Sequence, residues 1–273
     1  MTVAPHDLAS WALFLSKADI PVLKITAREL SRLSLDEENL SPRALTLVVS
    51  QDPMMVFRIL RHMQTHKRKL QLQDLVLVEQ AIMMMGMSTF FREIPATPLV
   101  EDAMRSNLPA LTQLLKLIHR AHRAAHYAYE WGVMLKDFHV METRTAALLH
   151  DLAEMLLWCF APDKMMEILR LQQTDKALRS HHAQQQVLGF RLSQLQLLLV
   201  ETCELPPLLA RLMQEGSKAE QQVMNVSLAV NLARHAANGW DDAALPDDYR
   251  DIAEFLRVDV PRVMTLVGAP PTP

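Results

Sequence analysis

Two short stretches of this sequence place a polar residue and a proline directly ahead of an apolar run. Ser41-Pro42 precedes "RALTLVVS", and Asp52-Pro53 precedes "MMVFRILRHM", in which methionine, isoleucine and leucine recur at helical spacing. A side-chain oxygen at the N-cap accepts a hydrogen bond from a first-turn amide, and proline is tolerated at the first helical position. Each stretch therefore predicts the start of an amphipathic helix.

Glycine is scarce throughout the chain. Six glycines in 273 residues are about 2% of the chain, against a usual ~7%. Leu, Ala, Met and Gln are abundant, and these residues favour helix over sheet. We find no lasting alternation of polar and apolar residues bounded by turn residues, and no long-period repeat. The sequence predicts an all-α, multi-helical protein.

Stop signals divide these helices into groups. Gly86 is predicted to end the helix of "VEQAIMMMG", and the two prolines of "EIPATPLVEDAM" mark the expected joint between two lobes. We predict an N-terminal helical lobe over residues 1–107, a second helical lobe over residues 108–267 and a disordered tail over residues 268–273. Each of the following ranges of the second lobe is predicted to form one helix: 108–135, 143–161, 183–202, 206–216 and 219–239.

Charge and cysteine usage are ordinary. The formal net charge is −3, and 22% of the residues are charged. No uncharged apolar run reaches ~18 residues, and the first residues resemble no secretion signal. Cys159 and Cys203 both lie in apolar helical stretches, so we do not expect a disulfide framework. These features predict a cytoplasmic protein without a membrane segment.

The stretch "LLHDLAEMLLW" places His150 and Asp151 side by side in a leucine-rich helix. An imidazole nitrogen and a carboxylate oxygen can both bind zinc, manganese or iron. The pair lies at the edge of an apolar stripe, where it can equally be a hydrogen-bonded structural pair. The residues of this stripe are Leu149, Leu152, Leu156 and Phe160. Spacing alone leaves both interpretations open.

Three further groups of residues allow a functional or a structural interpretation. His119, His122 and His126 share one helix face, either as metal ligands or as a polar stripe beside an alanine seam. That seam consists of Ala121, Ala125 and Ala128. The basic residues 67–69 suit either a phosphate contact or a solvated loop, and the acidic net charge argues against nucleic-acid binding. His181 and His182 are adjacent and therefore lie on different helix faces, which is more typical of a loop or a helix start than of a ligand pair.

Four segments, in this order, resemble the HDOD family, the "HD-related output domain" of bacterial signalling proteins in the HD-domain superfamily. They are "VVSQDPMMVFRILRHMQT", "VEQAIMMMG", "AALLHDLAEMLLW" and "VLGFRLSQLQLLLVETCELP". The resemblance spans roughly residues 20 to 240. It implies a multi-helical HD-like bundle with an N-terminal helical lobe.

HD phosphohydrolases bind metal through a first histidine, the His-Asp pair and a later aspartate. The resemblance matches the pair to His150 and Asp151. It matches the first histidine to His122, with His119 and His126 also within range. These residues are therefore candidates for what remains of a metal site.

This chain departs from the metal-binding pattern at the remaining positions. Val230 stands where the pattern has the later aspartate, and Gly216 and Ser217 stand where many relatives have a His-His pair. Ala153 and Glu154 replace the Gly-Lys that often follows His-Asp. Valine has no lone pair, so the substitution removes one ligand and one neutralising charge. We therefore expect no catalysis and no cofactor.

The resemblance implies a non-catalytic bacterial signal-transduction module that acts through protein-protein contacts. Its protein partner is not identified by the sequence, and self-association stays open. The alternative is a metal-dependent phosphohydrolase acting on nucleotides or cyclic dinucleotides. In that alternative, His122, His150, Asp151 and an unrecognised fourth ligand would hold the divalent metal.

Overall fold

A computed structural model describes residues 5–66, 77–175, 177–214 and 220–270 of the chain. Within these ranges the protein consists of α-helices joined by turns, together with a short 3-10 helix at Ser34–Asn39. The predicted all-α class is confirmed. None of the described helices has the length and apolarity needed to cross a bilayer.

The α-helices are numbered in the order in which they follow one another along the chain. The first group is α1 (Leu8–Lys17), α2 (Lys24–Leu33), α3 (Pro42–Val49), α4 (Pro53–Thr65), α5 (Val78–Met85), α6 (Met87–Glu93), α7 (Val100–Ala103) and α8 (Leu108–Met134). The second group is α9 (Val140–Leu149), α10 (Leu152–Phe160), α11 (Pro162–Thr174), α12 (Ser180–Leu188), α13 (Leu192–Thr202), α14 (Pro207–Leu212), α15 (Gln221–Ala236), α16 (Leu245–Leu256) and α17 (Val260–Val267).

The predicted helix starts and stops are confirmed at the polar-proline pairs. Ser41 caps α3 by accepting a hydrogen bond from the amide of Ala44 at 3.1 Å. Asp52 caps α4 by accepting from the first two amides behind Pro53. Gly86 ends α5 with a positive φ of 82°, a conformation that only glycine adopts without strain. Local side-chain chemistry therefore determines these helix boundaries.

The single helix predicted over residues 183–202 is wrong, because the chain breaks at Gly189. Its backbone is left-handed, with φ 83°, so α12 ends at Leu188 and α13 begins at Leu192. Left-handed glycine is the usual C-terminal stop of a helix. The helix predicted over residues 206–216 is also shorter, since α14 ends at Leu212.

The described residues form two compact units, each built from two segments of the chain. The first unit comprises Met1–Ile118 and Asp151–Ala210, and the second comprises His119–His150 and Arg211–Pro273. The predicted lobes, residues 1–107 and 108–267, are instead continuous in sequence and stay a prediction. Part of the predicted disordered tail, residues 271–273, lies outside the described residues.

The first unit has α4 at its centre. Residues 53–60 of this helix are all buried, α10 packs against α4 and α13, and α1 packs against α13. Ahead of α4, the fully buried Asp52 accepts hydrogen bonds from the amide of Leu23 at 2.7 Å and from the Thr26 side chain. Burial raises the pKa of the Asp52 carboxyl, and these hydrogen bonds act in the opposite direction. Asp52 thus joins the starts of α2 and α4.

Two arginines of α4 hold the backbone that surrounds it. The buried Arg58 donates to the carbonyl oxygens of Ile20 and Thr97 at 3.1 and 2.8 Å. Arg61 donates to three carbonyls at the C-terminal end of α1, those of Leu15, Ser16 and Ala18. The Arg61 bonds satisfy carbonyl groups that the end of α1 leaves without a helical partner, and the Arg58 bonds satisfy carbonyl groups of two connecting segments.

The second unit packs α15 against α9 and α16, and α16 against α17. The C-terminal half of α8 supplies Trp131, which is buried and stacks on Tyr127 with ring centroids 5.7 Å apart. The buried Asn225 of α15 donates to the carbonyl oxygen of Ala128 at 3.0 Å. These contacts fix α15 in the core of this unit.

The two cysteines are free thiols of the first unit. Cys159 lies 3.9 Å from the Met54 sulfur, and burial raises the pKa of its thiol to about 12. Burial likewise raises the pKa of the Cys203 thiol to about 11. Because the thiolate is the reactive form, we expect both thiols to react slowly in the folded protein.

We predict that iodoacetamide at about pH 8 alkylates both cysteines at least about a hundredfold more slowly in the folded protein than in urea. Mass spectrometry of quenched samples measures both rates on each peptide. Rapid labelling of the folded chain at Cys159 would contradict the burial of its thiol. A free cysteine peptide in the same solution controls for reagent quality.

Candidate functional site

The His150-Asp151 pair lies at a break between two helices, so the prediction that it is inside one helix is wrong. α9 ends at Leu149, and α10 begins at Leu152. Asp151 has φ −102° and ψ 25°, outside the helical region. Aspartate is a poor residue for a helix interior because its side chain competes for backbone groups. The pair therefore occupies a turn.

The break leaves the first amide groups of α10 without helical partners, and a side chain that is remote in sequence accepts a hydrogen bond from one of them. The amide of Ala153 donates to Oε1 of Gln196 at 2.7 Å, and the Gln196 side chain is buried on α13. The prediction based on sequence missed Gln196. Its signal is a glutamine between two leucines, at a position where a buried amide requires a partner.

The leucines around the pair are core residues, as predicted. Leu149, Leu152 and Leu156 are fully buried. Phe160, the last residue of the predicted stripe, is half-buried and packs edge-to-face on Phe14 with ring centroids 5.4 Å apart. The neighbours of the pair thus stabilise the fold by burial.

The histidine row of α8 is mostly directed to solvent. His119 and His126 are exposed, and His122 is half-buried. The predicted alanine seam beside this row is confirmed, because Ala121, Ala125 and Ala128 are all buried. His181 and His182 lie in the first turn of α12, which confirms the predicted helix start.

A cavity of about 290 Å³ opens beside His150 within the second unit. Three buried apolar residues line it: Leu212, Val226 and Val230. The cavity is also lined by the half-buried polar residues His150, Ser227 and Asn231 and by the exposed Gln214 and Arg234. Of the three metal-site candidates, His150 lines this cavity, whereas His122 and Asp151 are not among its lining residues.

Helix α15 supplies most of the polar lining. Ser227, Asn231 and Arg234 are spaced by four and three residues, so they form one row along the helix. Val230 lies next to this row, buried except for 4% of its surface. α15 packs against α9, the helix that ends just ahead of the His-Asp pair. We did not predict the three polar residues as functional residues.

This lining does not fit a divalent metal. A hard or borderline dication requires several oxygen or nitrogen ligands with negative charge among them. The described lining offers one imidazole and no carboxylate, and it includes the cationic Arg234. Across the described part of the chain, no group of three or more His, Cys, Asp or Glu residues is arranged to hold a metal ion.

Two sequence features fall outside the described residues. They are the basic residues 67–69 and the positions of the missing His-His pair, Gly216 and Ser217.

His235, next to Arg234, contacts α16, because its Nδ1 lies 2.6 Å from Oδ2 of Asp248 on that helix. Burial raises the pKa of Asp248, and the hydrogen bond to His235 opposes this shift. His235 therefore belongs to the α15–α16 contact.

Comparison with known proteins gives a family match. The model of the HDOD domain family matches residues 20–219. The predicted resemblance over roughly residues 20 to 240 is thus confirmed for most of its length. No curated protein matches the sequence.

Two solved structures share the fold at low sequence identity. The MmoQ response regulator from Methylococcus capsulatus str. Bath is 18% identical, with a TM-score of 0.66 over 87% of this chain and 97% of that chain. A virulence factor from Campylobacter jejuni subsp. jejuni is 14% identical, with a TM-score of 0.68 over 96% of this chain and 92% of that chain. Both likenesses concern the fold alone.

Proposed function

We propose that this chain, which belongs to the HDOD domain family, is a non-catalytic regulatory module of bacterial signal transduction that acts through protein-protein contacts. The observation that carries the proposal is Val230. It lines the cavity beside His150, at the position where the HD metal-binding pattern has an aspartate. A response regulator shares the fold, which is compatible with a regulatory role here.

Metal-assisted hydrolysis makes demands that this lining does not meet. Such catalysis needs a metal-bound water in a complete but open coordination sphere. Beside His150 stand an isopropyl group, an amide and a guanidinium, from Val230, Asn231 and Arg234. A guanidinium cannot act as a metal ligand, and the isopropyl group offers no lone pair. A signalling role through protein contacts needs neither metal-binding side chains nor a metal-activated water.

We predict no metal-dependent turnover of phosphomonoesters, nucleotides or cyclic dinucleotides by the purified protein. Manganese, iron and zinc are each tested, with His150→Ala and Asp151→Ala as matched variants. The expected rate with each metal equals that of both variants. Turnover that disappears in both variants would establish the phosphohydrolase alternative instead.

Protein contact is tested separately, by capture from the native cell. The tagged full chain is crosslinked in living cells, and the captured proteins are identified by mass spectrometry against an unrelated tagged helical protein. The proposal expects a signalling protein that is enriched reproducibly and binds the purified chain directly. Enrichment equal to that of the unrelated bait, with no direct binding, would oppose it.

A further inference from the structure

We propose that two copies of this chain form a symmetric dimer through the corner between α8 and α9. The corner comprises residues 130–142, which are the end of α8, the turn that follows and the start of α9. It lies within the His119–His150 segment of the second unit. Contact between two identical chains is independent of the proposed contact with a signalling partner.

The corner carries exposed apolar side chains within residues 133–141. Phe138 is 97% exposed, and Val133, Met134 and Met141 are exposed as well. Val133 and Met134 lie in the last turn of α8, and Met141 lies in the first turn of α9. Because the chain folds back between these helices, the four side chains share one corner of the unit. Clustered exposed apolar surface marks a contact site, and an aromatic side chain is a typical anchor of such a site.

The position of Phe138 is fixed by hydrogen bonds of the residue before it. One carboxylate oxygen of Asp137 accepts a hydrogen bond from the amide of His139 at 2.9 Å. The same oxygen accepts from the side chain of Gln222 on α15 at 2.8 Å. These bonds hold the turn to α15 within the second unit. Association through Phe138 therefore costs less conformational entropy than association through a mobile loop.

Two charges beside the apolar residues favour a second copy of the chain as the occupant. Glu130 lies one turn ahead of Met134 on α8, and Lys136 follows the end of that helix. Both side chains are exposed, and neither is hydrogen-bonded or ion-paired within the described residues. In a two-fold dimer, a surface meets its own copy in reverse order. Glu130 of one subunit then lies opposite Lys136 of the partner subunit, and this pair occurs twice.

An unlike partner would match less of this charge pattern. A uniformly acidic surface would attract Lys136 and repel Glu130, and a uniformly basic surface would do the opposite. The nearby Glu142 leaves the pattern unchanged, because its carboxylate lies 3.2 Å from Nδ1 of His139 in the same subunit. The presence of both signs on one small surface therefore fits self-association.

The size of the apolar cluster predicts a reversible dimer. Burial of Phe138 removes roughly 200 Å² of surface from water, and the other three apolar side chains add about as much. The apolar centre thus covers about half of the ~800 Å² that each subunit contributes to a standard interface. The polar residues around it supply the remainder. We expect a dissociation constant in the micromolar range.

Sedimentation equilibrium of the full chain at roughly 1–200 µM tests the dimer. The average mass should rise with concentration from the 31.1 kDa of the monomer towards twice that value. Phe138→Ala should raise the dissociation constant at least about tenfold, and it should fold, by circular dichroism, because Phe138 is outside the core. Leu35→Ala is the matched control. It truncates an exposed leucine of the 3-10 helix in the first unit, so it should dimerise like the unaltered chain.

Charge reversal tests the two-fold arrangement. Glu130→Lys and Lys136→Glu each place like charges opposite each other, so each should weaken the dimer about threefold or more. The double variant restores opposite charges and should dimerise like the unaltered chain. A chain that stays monomeric at about 200 µM overturns the proposal. So does a Phe138→Ala variant that dimerises like Leu35→Ala, or a double variant that dimerises no better than the two single reversals.

Discussion

Replacing Asp52 with alanine is expected to lower the free energy of unfolding by about 3–5 kcal/mol. The carboxyl of Asp52 accepts hydrogen bonds from the buried amides of Leu23, Met54 and Met55. Removing the acceptor leaves these donors in a site that is closed to water. Each buried donor without a partner costs about 1–3 kcal/mol, and the losses partly overlap. Urea denaturation measures the total.

Ser41→Ala is the matched control for this prediction. Ser41 is also an N-cap ahead of a proline, but it is exposed and accepts one amide bond, from Ala44. Water can replace that bond, so the expected cost is about 0.5–1 kcal/mol. Equal costs for the two substitutions would mean that Asp52 acts as a cap alone and does not join α2 to α4.

Leu152→Ala is expected to lower the free energy of unfolding by about 2–5 kcal/mol. Leu152 is fully buried at the first position of α10, so truncation removes apolar contacts and leaves a cavity. His150→Ala should cost less, because His150 is half-buried and borders open space. The urea concentrations at which the two variants are half unfolded give the comparison directly, provided that the free energy of unfolding depends equally steeply on urea in both.

An exposed leucine of the same unit serves as the control. Leu197 on α13 is 39% exposed, and Leu197→Ala should change stability by only about 0.5–1 kcal/mol. A larger loss for His150→Ala than for Leu152→Ala would reverse our assignment of which residue belongs to the core. In that case His150 would be a buried hydrogen-bonding centre of the second unit.

Much of the fold was predictable because the signals are local. Ser41 and Asp52 cap the helices that directly follow them, and the long helix α8 has no internal breaker of its pattern. Gly189 was a readable stop signal that the apolar pattern on both sides obscured. The break at Asp151 is less visible, and the residue that caps the next helix, Gln196, lies 43 residues further along the chain than the Ala153 amide that it accepts from.

The candidate site was predictable only in part. His150 and Val230 were identified from the sequence, and both line the same cavity. Ser227, Asn231 and Arg234 follow a readable spacing, but a polar row on a helix is usually a solvated face. Only the packing of α15 against α9 turns that row toward His150. The orientation of this row therefore depends on contacts between distant segments of the chain, which residue spacing does not reveal.

The two-segment construction of each unit has a consequence for synthesis. A ribosome completes the first segment of the first unit at residue 118, but the unit's second segment ends only at residue 210. At ~5–20 residues per second, the intervening residues take roughly 5–20 s to emerge. During that interval the apolar faces of α1 and α4 lack the α10 and α13 surfaces that later cover them. We therefore expect the nascent chain to bind chaperones that shield apolar helices until translation has passed α13.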